Sequence, residues 1–213
     1  MEGMGLFNLA GTGGDGNMRT AVHTRRIVDP IFGTKLTGTI GKTAFGVLNA
    51  VDDSPVAPFS VEGEPIDVAN KVTTVARVSH GLQRSDYVGG IFTHTAHDGR
   101  QNLVAGGDIS LRPSDAHQFS ATFLASRTTD RADADRSGSA AQVTYSYETR
   151  RWVSITQAEH YDADFVMDTA FYNRTGFTGV WQFTDLSFYP KSRWLQRLHP
   201  WYFAKIGTDR IQD

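Results

Sequence analysis

The sequence has no cysteine among its 213 residues, which excludes disulfide frameworks, thiolate zinc sites and thiol nucleophiles and leaves packing and backbone pairing to hold the fold. It has little excess of either charge: 21 Lys and Arg stand against 23 Asp and Glu, a formal net charge of -2. The overall basic field that follows nucleic-acid phosphates is therefore missing, and nucleic acid is not an expected partner. No stretch approaches the roughly 18 apolar residues of a membrane helix. Met1 to Asn17 is glycine-rich, with neither a basic leader nor an apolar centre, and does not read as a signal peptide. Helical periodicity is scarce throughout.

What the sequence has instead is alternation. From Leu103 to Arg112, Leu103, Ala105, Gly107, Ile109 and Leu111 share one face, while Gly106, Asp108, Ser110 and Arg112 share the other. Phe119, Ala121, Phe123 and Ala125 oppose Gln118, Ser120, Thr122 and Ser126, with Leu124 on the polar side. Ala141, Val143, Tyr145 and Tyr147 oppose Gln142, Thr144, Ser146 and Glu148. Phe177, Gly179, Trp181 and Phe183 oppose Thr178, Gln182 and Thr184, with Val180 as the exception. Period two in segments rich in Val, Ile, Thr and aromatics predicts strands. Thr43 to Val51, Tyr87 to Ala96 and Trp152 to Tyr161 carry apolar groups on both faces, so their outward side stays open. With Thr20 to Val28, Thr34 to Ile40, Val72 to Ser79 and Trp201 to Gly207, roughly eleven strands are expected, several of the length that crosses a bilayer at a tilt.

The connections alternate as well. Gly41-Lys42 and Pro113 to Ala116 read as tight, as does Thr149 to Arg151; His80 to Asp86 is short and His97 to Gln101 modest. Val51 to Lys71, Arg127 to Ser139 and Asp162 to Asn173 read as long. An up-and-down barrel with turns on one side and loops on the other has this pattern, and a soluble sandwich has no reason for it. Phe45, Tyr87, Phe119, Tyr147, Trp152, Phe188, Tyr189, Trp194 and Trp201 gather beside the short turns. They resemble one interfacial girdle, the alternative being aromatics that start strands and pack on one another. The chain thus divides into a glycine-rich segment, residues 1–17, and an all-β antiparallel meander of about 10–11 strands over residues 18–213, a partial transmembrane β-barrel.

Glu2-Gly3-Met4-Gly5-Leu6-Phe7-Asn8, Arg25-Arg26-Ile27 followed by Gly33-Thr34-Lys35-Leu36-Thr37-Gly38, and Tyr161-Asp162-Ala163-Asp164-Phe165 followed by Asn173-Arg174-Thr175-Gly176-Phe177 resemble, in order and spacing, one family. It is a bacterial outer-membrane β-barrel domain of uncharacterised function that usually follows a domain like the family-9 carbohydrate-binding modules. The resemblance implies residence in the bacterial outer membrane, membrane lipid and the barrel-insertion machinery as partners, and a carbohydrate-related ligand through the accompanying domain. It implies no cofactor and no catalytic residue. The chain starts inside the first of these motifs and stops at Ile211-Gln212-Asp213 without a terminal aromatic strand, so an incomplete barrel is expected, its first and last strands not meeting unless residues outside the chain complete it.

Site motifs are weak by comparison. Gly41-Lys42-Thr43 is no phosphate loop, because Leu36 stands where that pattern needs glycine. Gly11 to Gly16 precedes no helix start and reads as a flexible loop. Asp133 to Gly138 begins like a calcium loop, but its twelfth position is Thr144, inside an expected strand. No Gly-x-Ser-x-Gly elbow occurs. His94, His97, Asp98, Glu159 and His160 fall near strand ends and define the enzyme alternative, a hydrolase with a rim site. A soluble β-sandwich or small-barrel binding module is the other alternative. No catalytic, cofactor or metal residue is assigned. The lumen-facing candidates are Asp108, Ser110, Arg112, Gln118, Thr122, Gln142, Thr144, Glu148 and Gln182, either lining a hydrated interior or forming an ion-pair network that fills it.

Overall fold

The computed structural model describes residues 4–12, 16–53, 70–130 and 135–210. Ten strands form one antiparallel sheet: β2 (Pro30–Ile40), β3 (Thr43–Asp52), β4 (Lys71–Gly81), β5 (Tyr87–His97), β6 (Arg100–Ser114), β7 (His117–Thr129), β8 (Asp135–Glu148), β9 (Trp152–Tyr161), β11 (Phe177–Leu186) and β12 (Trp201–Asp209). Two short strands, β1 (Met18–Thr20) and β10 (Phe171–Tyr172), pair with each other outside it. The sheet is an up-and-down meander whose order follows the chain from β2 to β12. Among the described residues β2 and β12 are its unpaired edges, and nearly every residue of both is exposed.

Tight turns explain much of the register. Gly41 takes φ +59° and lets β2 fold directly onto β3. Asp98 (φ 52°) and Gly99 (φ 74°) take the left-handed pair of a two-residue hairpin turn, which asparagine-like residues and glycine accept readily. The connection read as modest is thus as tight as a hairpin permits. Arg127 to Ser139, read as a long loop, is shortened because β7 runs to Thr129 and β8 starts at Asp135. At the opposite end 187–200 is the long connection, so turn and loop lengths sort by end less cleanly than the sequence suggests. The expected strand over Thr20 to Val28 is instead the end of β1 and a 3-10 turn, Thr24–Arg26.

One face of the sheet is covered and the other bare. Burial alternates along β7, with Ser120, Thr122, Leu124, Ser126 and Thr128 buried and Phe123, Ala125 and Arg127 exposed. The cover comes from the N-terminal residues and the connection 162–176. Phe7, Leu9, Met18, Ala21 and Val22 from the first, and Phe165, Met167 and Ala170 from the second, pack with Val75, Ile91, Val104, Leu124, Ala140, Tyr161 and Phe177 of the sheet in one apolar cluster. The reading of Gly11 to Gly16 as a flexible loop is corrected at Gly11, whose carbonyl accepts from Gln142, and residues 4–12 hold a 3-10 turn (Met4–Phe7) and bury Phe7, Leu9 and Ala10. The apolar Leu6-Phe7 and Leu9-Ala10 pairs gain more from burial than the short segment loses in freedom. Residues 13–15 and 131–134, with the start of the calcium-like stretch, lie outside the described residues.

Candidate functional site

The covered face is built by register. Arg77 of β4 and Asp108 of β6 each reach across Gly89 of β5, which pairs with Asp108 directly. Arg77 donates to both carboxylate oxygens of Asp108, at 2.6 and 2.9 Å, and both side chains are almost wholly buried. Gly89 makes room for this: a Cβ there would stand 2.5 Å from Nη1 of Arg77. Two charges out of water are tolerable only when paired and hydrogen-bonded in this way.

The same carboxylate holds the N-terminal segment. Oδ2 of Asp108 accepts from the Ala10 amide at 2.7 Å, and the Thr122 hydroxyl donates to the Ala10 carbonyl at 2.7 Å. Gln142 donates through Nε2 to the Gly11 carbonyl, and Oε1 of Glu159 accepts from the Asn17 amide at 2.6 Å. A segment with no sheet of its own thereby satisfies its backbone on side chains of β6, β7, β8 and β9.

The connection 162–176 is fastened beside it. Asn102, buried on β6, donates to the Val166 carbonyl at 2.9 Å and accepts from the Asp168 amide at 3.1 Å. Arg100 grips both oxygens of Asp168, and Thr95 donates to it at 2.8 Å. Thr169 donates to the Ala21 carbonyl at 2.9 Å, and the His23 amide donates back to the Thr169 carbonyl at 2.7 Å. Gly138 of β8 admits the connection, since a Cβ there would collide with the backbone of Asp164 and Phe165. At the entry to the connection, hydrogen bonds from the Ser139 hydroxyl and amide hold the Asp162 carboxyl below the usual carboxylate range.

Of the nine lumen-facing candidates, Asp108, Ser110, Gln118, Thr122, Gln142, Thr144 and Glu148 fall on the covered side of the register, and Arg112 joins them by donating to Gln118 at 3.2 Å. Thr144 donates to Gln157 at 3.1 Å. Gln182 is corrected. It pairs with Thr156, whose other neighbour is Tyr145 on the bare face. In β11 the apolar series turns inward: Phe177 stacks on Tyr161 at 5.4 Å and Trp181 pairs with Gln157. Alternation distinguishes two faces but not which is outward, and here the in-folded connection supplies an apolar partner that a hydrated interior would not. Arg77, Gly89 and Asn102 were not among the candidates, and Glu159 stood only among the rim residues. A charge and a glycine at inward positions of β4 and β5 were the available signal.

The bare face carries the opposite chemistry. Leu36 is 64% exposed, Phe123 56% and Ile206 77%, and Val47, Val78, Phe92, Leu103, Val143, Tyr145 and Val180 lie open between them. Of the Lys, Arg, Asp and Glu in the ten strands, only Arg127 and Asp135 fall on this face, and they are ion-paired with each other at the strand ends. Of the proposed girdle, Phe45, Phe119, Tyr147 and Trp152 lie on the bare side of the register, whereas Tyr87 pairs with Ser110 and faces the covered side.

The rim histidines are not brought together. β5 and β9 are separated by three strands, about 19 Å at the usual strand spacing. His94 and His160 register on the bare face, and His97 and Glu159 on the covered one. His160 bonds Thr178 at 2.7 Å and Asp162 at 3.2 Å instead. No group of three or more metal-capable side chains occurs among the described residues. No protein-family model, curated protein or solved structure matches the chain.

Proposed function

We propose that the chain is the membrane-embedded wall of a bacterial outer-membrane β-barrel, a scaffold for the carbohydrate-binding-like domain that its motifs imply. The observation that carries this reading is the inverted polarity of the sheet. Ionisable side chains are gathered on the side filled by protein, and an apolar band crosses strand after strand on the side that none of the described residues covers. Soluble monomers rarely expose contiguous apolar patches beyond a few hundred Å². A lipid-facing strand, in contrast, alternates apolar outward with polar inward. The same band weighs against the soluble binding module. The filling of the covered face favours a scaffold over an open passage.

The test is flotation of the refolded chain with neutral phosphatidylcholine vesicles after a urea wash, together with heat-dependent mobility on gels. Co-flotation resistant to urea is expected. A monodisperse monomer that is soluble without detergent and stays at the bottom of the gradient would overturn the reading.

A further inference from the structure

The sheet carries a second feature, at the end where β8 turns into β9. Beyond β11 and β12 the chain continues as a narrow ribbon, closed by the paired amides and carbonyls of Phe188 and Leu198 at 2.9 Å. Between this ribbon and the turn Thr149 to Arg151 lies a cleft of about 300 Å³. The Ser187 amide donates to the Arg151 carbonyl at 2.8 Å and ties the two walls together.

Arg150, Arg151, Arg197 and His199 line this cleft. Arg150 and Arg197 both lie over the Tyr189 ring, at 5.6 and 6.0 Å from its centre, so one aromatic ring positions two guanidinium groups. Ser187 accepts from Arg197 at 3.1 Å. The one carboxylate lining the cleft, Asp185, is bonded by His199 at 2.5 Å. Among the described residues, no carboxylate forms an ion pair with any of the three arginines.

We propose that this cleft binds a phosphate-bearing anion. The Arg150 and Arg197 guanidinium groups beside one small cleft, with Arg151 in its lining, offer more N–H donors than a single carboxylate has lone pairs to receive, whereas a phosphate group accepts from several forks together. The volume suits one phosphate group with its ester substituent. Two sources share this chemistry: free phosphate or its soluble esters, and the headgroup of an anionic phospholipid. The inference does not need a bilayer and stands apart from the membrane reading.

The experiment is titration calorimetry on the full chain in neutral detergent, with inorganic phosphate in one arm and phosphatidylglycerol against phosphatidylcholine in mixed micelles in the other. Saturable binding of phosphate, or of phosphatidylglycerol but not phosphatidylcholine, is expected. Combined Arg150→Ala, Arg151→Ala and Arg197→Ala should weaken it by about tenfold or more, as loss of charge-assisted bonds does. Arg151→Lys should fall between, since it keeps charge but loses the fork. Arg84→Ala, a cation at the same end but outside the cleft, should leave affinity unchanged, with the strand circular dichroism of every variant intact. Binding in the phospholipid arm alone assigns the lipid source, and binding in both assigns phosphate itself. Absence of binding in both arms, or an equal loss in Arg84→Ala, would overturn the proposal.

Discussion

The two ends of the sheet hold their charges in opposite ways. At the end where the connection 162–176 folds in, the arginines are matched in several ion pairs, Arg100 with Asp168 and Asp130, Arg136 with Asp130, Arg127 with Asp135, and Arg174 with Asp209, while Lys71 donates to the Arg26 carbonyl. At the other end stand Lys42, Arg84, Arg112, Arg150, Arg151, Lys191, Arg193 and Arg197, against Asp86, Asp115, Glu148 and Asp185. There the cations bond neutral groups: Lys42 the Leu82 carbonyl, Arg84 the Pro113 carbonyl, Arg112 the Gln118 amide. Paired charges in a fold position chain segments. Cations left without carboxylates keep their electrostatic attraction for something external.

If that contrast is right, the sharpest loss comes from the most deeply paired charge. Asp108→Ala strands the Arg77 guanidinium in a dry interior and releases the Ala10 amide, so a loss of about 3–5 kcal/mol is expected in detergent unfolding. A fall under about 1 kcal/mol would mean that the covered face is wet. Gly138→Ala comes next. It forces a methyl into the Asp164 and Phe165 backbone, and overpacking of about 1–3 kcal/mol should appear as proteolytic release of 162–176; an unchanged cleavage pattern would show that the connection does not depend on this approach.

Asp162 gives a smaller, pH-dependent effect. Its folded carboxyl sits below the usual range, so its contribution is present above the ordinary carboxylate pKa and disappears as pH falls through the lowered folded value. Protection of the Ser139 amide, its exchange rate taken against the intrinsic rate at each pH, should therefore fall under acid in the parent chain and already be low at neutral pH in Asp162→Asn. An identical acid profile in both would remove Asp162 as the anchor. The smallest effect belongs to the other end. Arg84→Ala or Arg150→Ala should change stability by under about 0.5 kcal/mol, because neither gives up an ion pair or a packed core group. A larger thermal shift would place those cations among the structural charges.

Most of the sheet was legible because a half-buried strand writes its two faces into alternate residues, as β6, β7 and β8 do plainly. The orientation of β11 was not, since Phe177 and Trp181 look the same whether they meet lipid or a folded-in connection. The packing of residues 4–12 and of the connection read over Asp162 to Asn173 was not legible because nothing local marks it. Their partners, Asp108, Thr122, Asn102 and Ser126, are distant in sequence, and each looks like an ordinary polar residue of a strand. Gly89 and Gly138 were the readable traces, glycines at inward positions where another group comes close. The charged cleft was hidden for a similar reason: Arg150 and Arg197 meet only because the ribbon doubles back on the turn.

Residues 4–17 are made before the sheet, yet the contacts of their described part are with residues that follow much later: Ala10 with Asp108 and Thr122, Gly11 with Gln142, Asn17 with Glu159 and Arg174. Such contacts close very large loops, which slows folding because chain entropy is lost before any contact is gained. The segment can settle only after β6 to β9 are in register. A segment made before the strands it rests on is then the last to dock, and its docking reports that the sheet beneath it has formed.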